Sequence, residues 1–473
     1  MKSAIFVSVA MLSFTLAVCP LRAADWPGFR GPNGAASSDE KDLPVQWSKD
    51  DILWKLKLPG VGASSPIAVG DRVFVTSYTG YGMTLTKGFG AGMPKGKGKF
   101  GGGKGGFGGG GPGKGKGGFG GGGFGGFGGG PDTGGDQKKL KLVLVCVDSK
   151  KGQIRWKKEI QPKLPEKPFS GMICEHGYAS STPVSDGERI YVFFGKTGVL
   201  AFDFEGKQLW QADVGSGTHM WGSAASPIVY KDLVIVAAAM ESQSLIALDK
   251  KSGDQVWRTK GIGSTWASPV LVKTKEGKDE LVLSLPGKVA GFDPDTGKEL
   301  WHCQGVIGAG GFSYTSSTPV AKDDIVYASD KGGFGPPVAI AVRSGGRGDV
   351  NKTHVLWRKN VGAGITSPVI NGDYLCFVAG AATCVRADSG ESVYKKRLYD
   401  GFGEYVSPVA AGGKIYALTR FDGLFVLGGG NTFEKLAHNK FEGDNSIFNA
   451  SPAISNGCIY VRSSENLYCV SKK

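Results

Sequence analysis

The chain has 473 residues, 40% of them hydrophobic, with a formal net charge of +14 at pH 7. Hydrophobic content on this scale supports a large packed core, and no stretch beyond the first residues reaches the roughly 18 apolar residues that span a bilayer. Its 8 cysteines include no C-x-x-C and no C-x-x-C-H, which argues against a thioredoxin-like redox site and a covalently attached haem.

Residues 1–24 read as a secretory signal. Lys2 supplies the positive start, Ala4 to Val18 the apolar run, and cleavage falls after Ala23 or Ala24. The alternative is lipidation at Cys19, although Leu16-Ala17-Val18-Cys19 places Val where a small residue is preferred. A secreted or periplasmic protein is expected, tethered at most through Cys19. Residues 25–50 form an N-terminal extension that opens Asp25-Trp26-Pro27-Gly28-Phe29-Arg30-Gly31-Pro32-Asn33-Gly34.

From residue 51 to 473 the chain repeats itself. A Ser-Pro or Thr-Pro pair leads into an apolar run at Ser65, Thr182, Ser226, Ser268, Thr318, Ser367, Ser407 and Ser451. Pro opens a strand at a position where its missing N–H is tolerable. A turn and a second β-rich run follow, as at Asp186-Gly187 and Ile190 to Phe194. A third run ends near Asp, and a Gly turn leads to Trp: Asp148, Gly152, Trp156; Asp203, Gly206, Trp210; Asp249, Gly253, Trp257; Asp293, Gly297, Trp301. A degenerate copy reads Asp388, Gly390, Tyr394. Glycine supplies the positive φ of such a turn, and the Trp is expected to pack between neighbouring blades. The pattern predicts an all-β, eight-bladed β-propeller of four-stranded antiparallel blades. After Pro452 only three strands fit, so Ile52-Leu53-Trp54-Lys55-Leu56 is expected to complete the last blade and close the ring.

Two insertions interrupt the repeat. In blade 1, a Gly/Lys-rich loop over residues 88–135 separates the second strand from the third; its composition predicts disorder. It holds much of the positive charge and projects from the face bearing the loops that lead into each blade. A flexible cationic loop suits an anionic surface or acidic partner; nucleic acid is not expected for a secreted protein. Arg343 to Thr353 extends the third-to-fourth-strand loop of blade 5 on the opposite face. Cys376 with Cys384, and Cys458 with Cys469, flank hairpin turns, leaving either disulfides or buried free thiols.

Over roughly residues 50 to 473 these repeats resemble the PQQ-like (pyrroloquinoline-quinone repeat) β-propellers. That family includes the quinoprotein dehydrogenases and BamB-like envelope proteins, and the Asp25–Gly34 block resembles the leader of its secreted bacterial members. The BamB-like resemblance implies a non-catalytic binding or scaffold propeller, a monomer that contacts an envelope protein. The alternatives are a PQQ- or metal-dependent oxidoreductase and an anionic-surface binder acting through the Gly/Lys loop. The dehydrogenases hold PQQ with Ca²⁺ and carry a Cys-Cys pair, which this sequence lacks. No cofactor is therefore expected, PQQ with calcium being the alternative.

No catalytic motif stands out. Residues just ahead of the Ser/Thr-Pro pairs are aromatic at Tyr178, Trp221, Trp266, Tyr314, Tyr405 and Phe448, with Glu404 and Asn445 as polar neighbours. These are the candidate channel-mouth ligand face, though aromatic residues also plug a narrow channel, and packing is the favoured reading. Glu175, His176 and His219 are the weak metal candidates, two imidazoles and a carboxylate suiting zinc or iron.

Overall fold

A computed structural model describes residues 25–82, 135–168, 176–219, 221–305, 314–331, 336–399 and 404–472. The signal segment 1–24, Cys19, Glu175 and all of the Gly/Lys loop except Gly135 lie outside the described residues.

Eight sheets, each built on four antiparallel strands, form the blades of a propeller, and in all but the last blade those four follow one another in the chain apart from one short inserted strand in blade 5. Blade 1 holds Ile67–Val69, Arg72–Thr79, Lys141–Asp148 and Ile154–Ile160. The middle strands of each blade are buried on both faces, and the outermost alternate. In the outer strand Gln208–Ala212, for example, only Trp210 is buried. The ring closes as the repeat requires: Ile52–Lys57 pairs antiparallel with Asn466–Ser471 and completes blade 8.

The Ser/Thr-Pro pairs do more than start strands. Each Ser or Thr N–H donates to the hydroxyl oxygen of its counterpart in the next blade. The series runs Ser65 to Thr182, Ser226, Ser268, Thr318, Ser367, Ser407 and Ser451, and returns from Ser451 to Ser65, at 2.8–3.0 Å throughout. The result is a closed circle of eight hydrogen bonds around the axis. Every buried N–H at this level is satisfied across a blade boundary, so adjacent blades are stitched at their inner ends.

At the outer ends the tryptophans do the stitching. Trp54, Trp156, Trp210, Trp257 and Trp357 each donate Nε1–H to a backbone carbonyl in the following blade. Each indole lies over the turn glycine there: Gly152, Gly206, Gly253, Gly297 and Gly390. The turns themselves form as read, with Asp249 Oδ1 accepting from the N–H groups of Lys251 and Ser252 and Gly253 at φ +80°.

The N-terminal extension crosses the channel on the face opposite the blade-leading loops. Trp26 bridges Ala68 in blade 1, and the Pro27 carbonyl accepts from Ser185 N in blade 2. The fully buried Arg30 reaches the carbonyls of Thr318 and Pro368 in blades 5 and 6. Ser37–Ser38 then pairs parallel with Ala410 and Ala411 on the inner edge of blade 7, and Glu40 accepts from Asn456 N and Gly457 N in blade 8.

The Arg343–Thr353 insertion lies where expected, between Val338–Arg343 and Val355–Lys359 of blade 5. Its Gly348–Asp349 segment also pairs parallel with Trp301 and His302, covering the otherwise open edge of blade 4. Of the two cysteine pairs only Cys376–Cys384 is a disulfide. These residues are directly opposed across the hairpin, whereas the register pairs Cys458 with Ser471 and Tyr460 with Cys469. Cys458 and Cys469, diagonal in that register, are free thiols.

Candidate functional site

The axial channel encloses a cavity of about 250 Å³. Phe29 of the N-terminal extension forms part of its floor, and all eight Ser/Thr residues of the hydrogen-bonded circle line it. A second tier comes from the residue two places before each Ser/Thr-Pro pair. These positions carry Ala63, Ser180, Ala224, Trp266, Ser316, Ile365, Tyr405 and Asn449, and every one lines the cavity. His176, Trp221 and Tyr314 complete the wall. The repeat thus delivers two residues per blade to the axis: one nearly constant hydroxyl and one variable side chain.

The variable tier is asymmetric. Blades 3 to 5 supply an aromatic cluster, with ring centroids 5.1 Å apart for Trp221 and Trp266 and 5.0 Å for Trp221 and Tyr314. Trp266 Nε1–H donates to the Gly222 carbonyl at 2.8 Å, which fixes its plane. On the far side the His176 ring meets Tyr405 edge-on at 4.7 Å. Burial lowers the His176 pKa to about 4, so the ring is neutral at pH 7. None of the described residues lining the cavity carries a charge at that pH.

Four of the aromatic residues singled out in the sequence, Trp221, Trp266, Tyr314 and Tyr405, meet at the cavity. The other candidates sit elsewhere. Tyr178 packs edge-on against Tyr78 at 5.3 Å and donates to the Lys167 carbonyl. Phe448 is buried against Phe441 and Tyr468. Glu404 is buried beside Arg420, its Oε2 accepting from Arg420 N, and burial raises its pKa to about 7. Asn445 is exposed on the loop before Phe448. The two histidines do not converge as metal ligands. His176 faces Tyr405, while His219 is wedged between Trp221 and Trp266 with Nδ1 accepting from Trp221 N. No group of three metal-binding side chains forms among the described residues.

Sequence reasoning missed the hydroxyl circle as a cavity wall, and it missed Phe29 as a floor. The first had a signal, since the Ser/Thr ahead of each Pro recurs in every blade. The second had none, because nothing in residues 25–50 says where they dock.

A family model described as outer membrane protein assembly factor BamB matches residues 141–396. Over 95 residues the chain is 40% identical to the outer membrane protein assembly factor BamB of Burkholderia pseudomallei (strain K96243), a match covering 20% of this chain and 22% of that protein. Among solved structures, BamB from Moraxella catarrhalis superposes with a TM-score of 0.52 at 15% identity, over 70% of this chain and 89% of that one. Quinohemoprotein alcohol dehydrogenase from Comamonas testosteroni gives 0.59 at 11% identity, over 95% and 81%. At such identities the two structures bear on the fold alone.

Proposed function

The chain belongs to the PQQ-repeat family described by the outer membrane protein assembly factor BamB, and from that premise we propose that it is a non-catalytic scaffold of the cell envelope, holding an envelope protein on the face that bears the blade-leading loops. The observation that supports this most is the uncharged lining of the axial cavity. General acid–base or nucleophilic chemistry needs a titratable group poised at the reacting atom. Here His176 is held neutral against Tyr405, and the nearby acid, Glu404, is turned to the Arg420 backbone.

A PQQ site with calcium does not fit the described residues. Calcium takes six to eight oxygen ligands, carboxylates prominent among them, and PQQ is itself an anionic quinone. The cavity lining presents hydroxyls, one amide and aromatic rings, without a carboxylate or a cation. Titration with PQQ and Ca²⁺ is expected to leave absorbance and melting temperature unchanged; a saturable spectrum would restore the oxidoreductase reading.

Photo-crosslinkers placed at Lys167 and Lys331, exposed on the loop-bearing face, and at Asp373, exposed on the opposite face, test the scaffold. Crosslinks to outer-membrane assembly proteins in intact cells are expected from the first two positions. Crosslinks from Asp373 alone, or from none of the three, would refute the proposed face.

A further inference from the structure

We propose that the axial cavity is a binding site for one neutral sugar ring, stacked on Trp266 with its oxygens toward the Ser/Thr circle. This goes beyond the scaffold reading and does not rest on it. The size comes first. At about 250 Å³ the cavity falls just below the roughly 300–1,000 Å³ of pockets that take drug-sized ligands. The N-terminal extension closes its lower end through Phe29. A blind cavity of this size holds a single ring, free or at the end of a chain, and does not thread a polymer.

The walls then set the chemistry. Trp221, Trp266 and Tyr314 cluster on one side, with Tyr314 edge-on to both indoles, and the shelf among them is the cavity-lining Trp266 indole, locked by its hydrogen bond to Gly222. A flat apolar face, such as the C–H face of a pyranose, packs on such a shelf. Below the shelf, each hydroxyl oxygen of the circle already accepts an N–H from the preceding blade. The hydroxyl protons meet no protein acceptor among the described residues, so the circle presents donors to the axis. All of these groups ask for a ligand rich in oxygen acceptors.

Charge excludes the competing classes. An anion or cation in this cavity would give up its hydration without meeting an opposite charge on the wall. Arg30, beneath the circle and not among the lining residues, directs Nη1 and Nη2 to the carbonyls of Thr318 and Pro368. A neutral ligand with one apolar face and many oxygens satisfies the aromatic shelf, the hydroxyl donors and the absence of lining charge together.

The test uses the full chain with D-glucose, D-galactose and N-acetyl-D-glucosamine, followed by saturation-transfer NMR and tryptophan fluorescence. At least one of the three should show saturation transfer and a saturable fluorescence change. Trp266→Ala, with its melting temperature checked, should weaken that binding by about tenfold or more, the loss of roughly one aromatic stacking contact. Trp266→Phe, which keeps an aromatic face and guards against failure of the alanine variant to fold, should weaken it by only about threefold. The proposal is overturned if no sugar transfers saturation, if folded Trp266→Ala binds as well as the parent, or if inorganic phosphate gives a saturable response where the sugars give none.

Discussion

Two seams between blades show opposite solutions to one problem. Between blades 2 and 3, Trp210 crosses the boundary, lies over Gly253 and donates to the Lys250 carbonyl at 3.1 Å. Between blades 4 and 5 the corresponding Trp301 turns back. It covers Gly291, its cross-strand partner in its own blade, and donates to Glu280 Oε2 at 2.7 Å. The cause lies in the neighbour. Blade 5 has the Arg343–Thr353 insertion where blades 1 to 4 and 6 have a short turn with its glycine under the preceding blade's tryptophan, so no glycine platform awaits the indole. The insertion compensates with its own contacts, Gly345 N and Arg347 Nη1 both reaching Glu280 at 3.0 Å. The partner opposite Trp301 is Gly291, whereas Trp210, Trp257 and Trp357 face alanine. The latch is therefore a property of two adjoining blades, and the tryptophan alone does not create it.

The largest effect that would sharpen this contrast comes from Trp301→Ala. The side chain is fully buried, and its removal should cost about 3–5 kcal/mol and release the insertion from blade 4. Faster proteolysis within 343–353, measured beside Trp210→Ala, is the distinguishing readout. If both variants are cleaved there equally, the insertion is not held by the Trp301–Glu280 contact. The turn glycines give the next effect. Gly253→Ala adds strain at φ +80° and places a Cβ 2.7 Å from the Trp210 ring. Strain of about 1–2 kcal/mol plus overpacking of about 1–3 kcal/mol should lower stability in urea. Gly345→Ala, at φ +89° with its nearest neighbour 3.6 Å away, should show the strain alone. Equal losses would mean that the indole does not rest on the turn.

The regular seams were legible because their cues are local. Asp, Gly and Trp recur within a few residues, and each has a turn or packing reason to be there. Ring closure was legible by a count of strands, since the missing outer strand of blade 8 had one candidate, at 52–56. What was illegible depends on contacts across hundreds of residues. Arg30 meets Pro368 at a separation of 338, and no periodicity in 25–50 announces the inner edge of blade 7 as the partner of Ser37–Ser38. The candidate site divides along the same line. Trp266 and Tyr405 stand two places before Ser268 and Ser407 and were placed by the repeat itself. Tyr178 stands four places before Thr182, the offset at which Tyr314 reaches the cavity ahead of Thr318, so beyond the two-place position the loop and not the repeat decides: Tyr178 and Phe448 fold against Tyr78 and Phe441. Trp301 looked like its neighbours because the feature that turns it, the altered loop of the next blade, lies more than forty residues downstream.

Blades 3 and 4 also each bury a glutamate, and the partners differ. Glu280 has three donors, while Glu241 of blade 3 has Ser223 on Oε1 and none on Oε2. Burial raises the Glu241 pKa to about 7 against the usual 4.5. The folded state then holds a proton that the unfolded chain releases above about pH 4.5. Stability from this group is full below that point, falls as pH rises toward 7, and levels off above. The fall is on the order of 1–3 kcal/mol. Glu166 and Glu404, also raised to about 7 by burial, slope the same way. Glu241→Gln should therefore flatten the decline in melting temperature between pH 4.5 and 7 without abolishing it; an unchanged slope would place the proton elsewhere.

The smallest expected effect tests what holds the irregular seam. Arg347 pairs with Glu280 at 3.0 Å, but its side chain is 57% exposed, against 2% for the glutamate. An exposed guanidinium gains little from such a pair, because water competes for it and salt screens it. Glu280 would retain Trp301 Nε1 and Gly345 N as donors. Arg347→Ala should thus cost under about 1 kcal/mol, and the difference from the parent should shrink in high salt. A loss matching that of Trp301→Ala would invert the account of this seam. The carboxylate would then depend on its charge partner, and the indole would be following the position of Glu280 rather than fixing it.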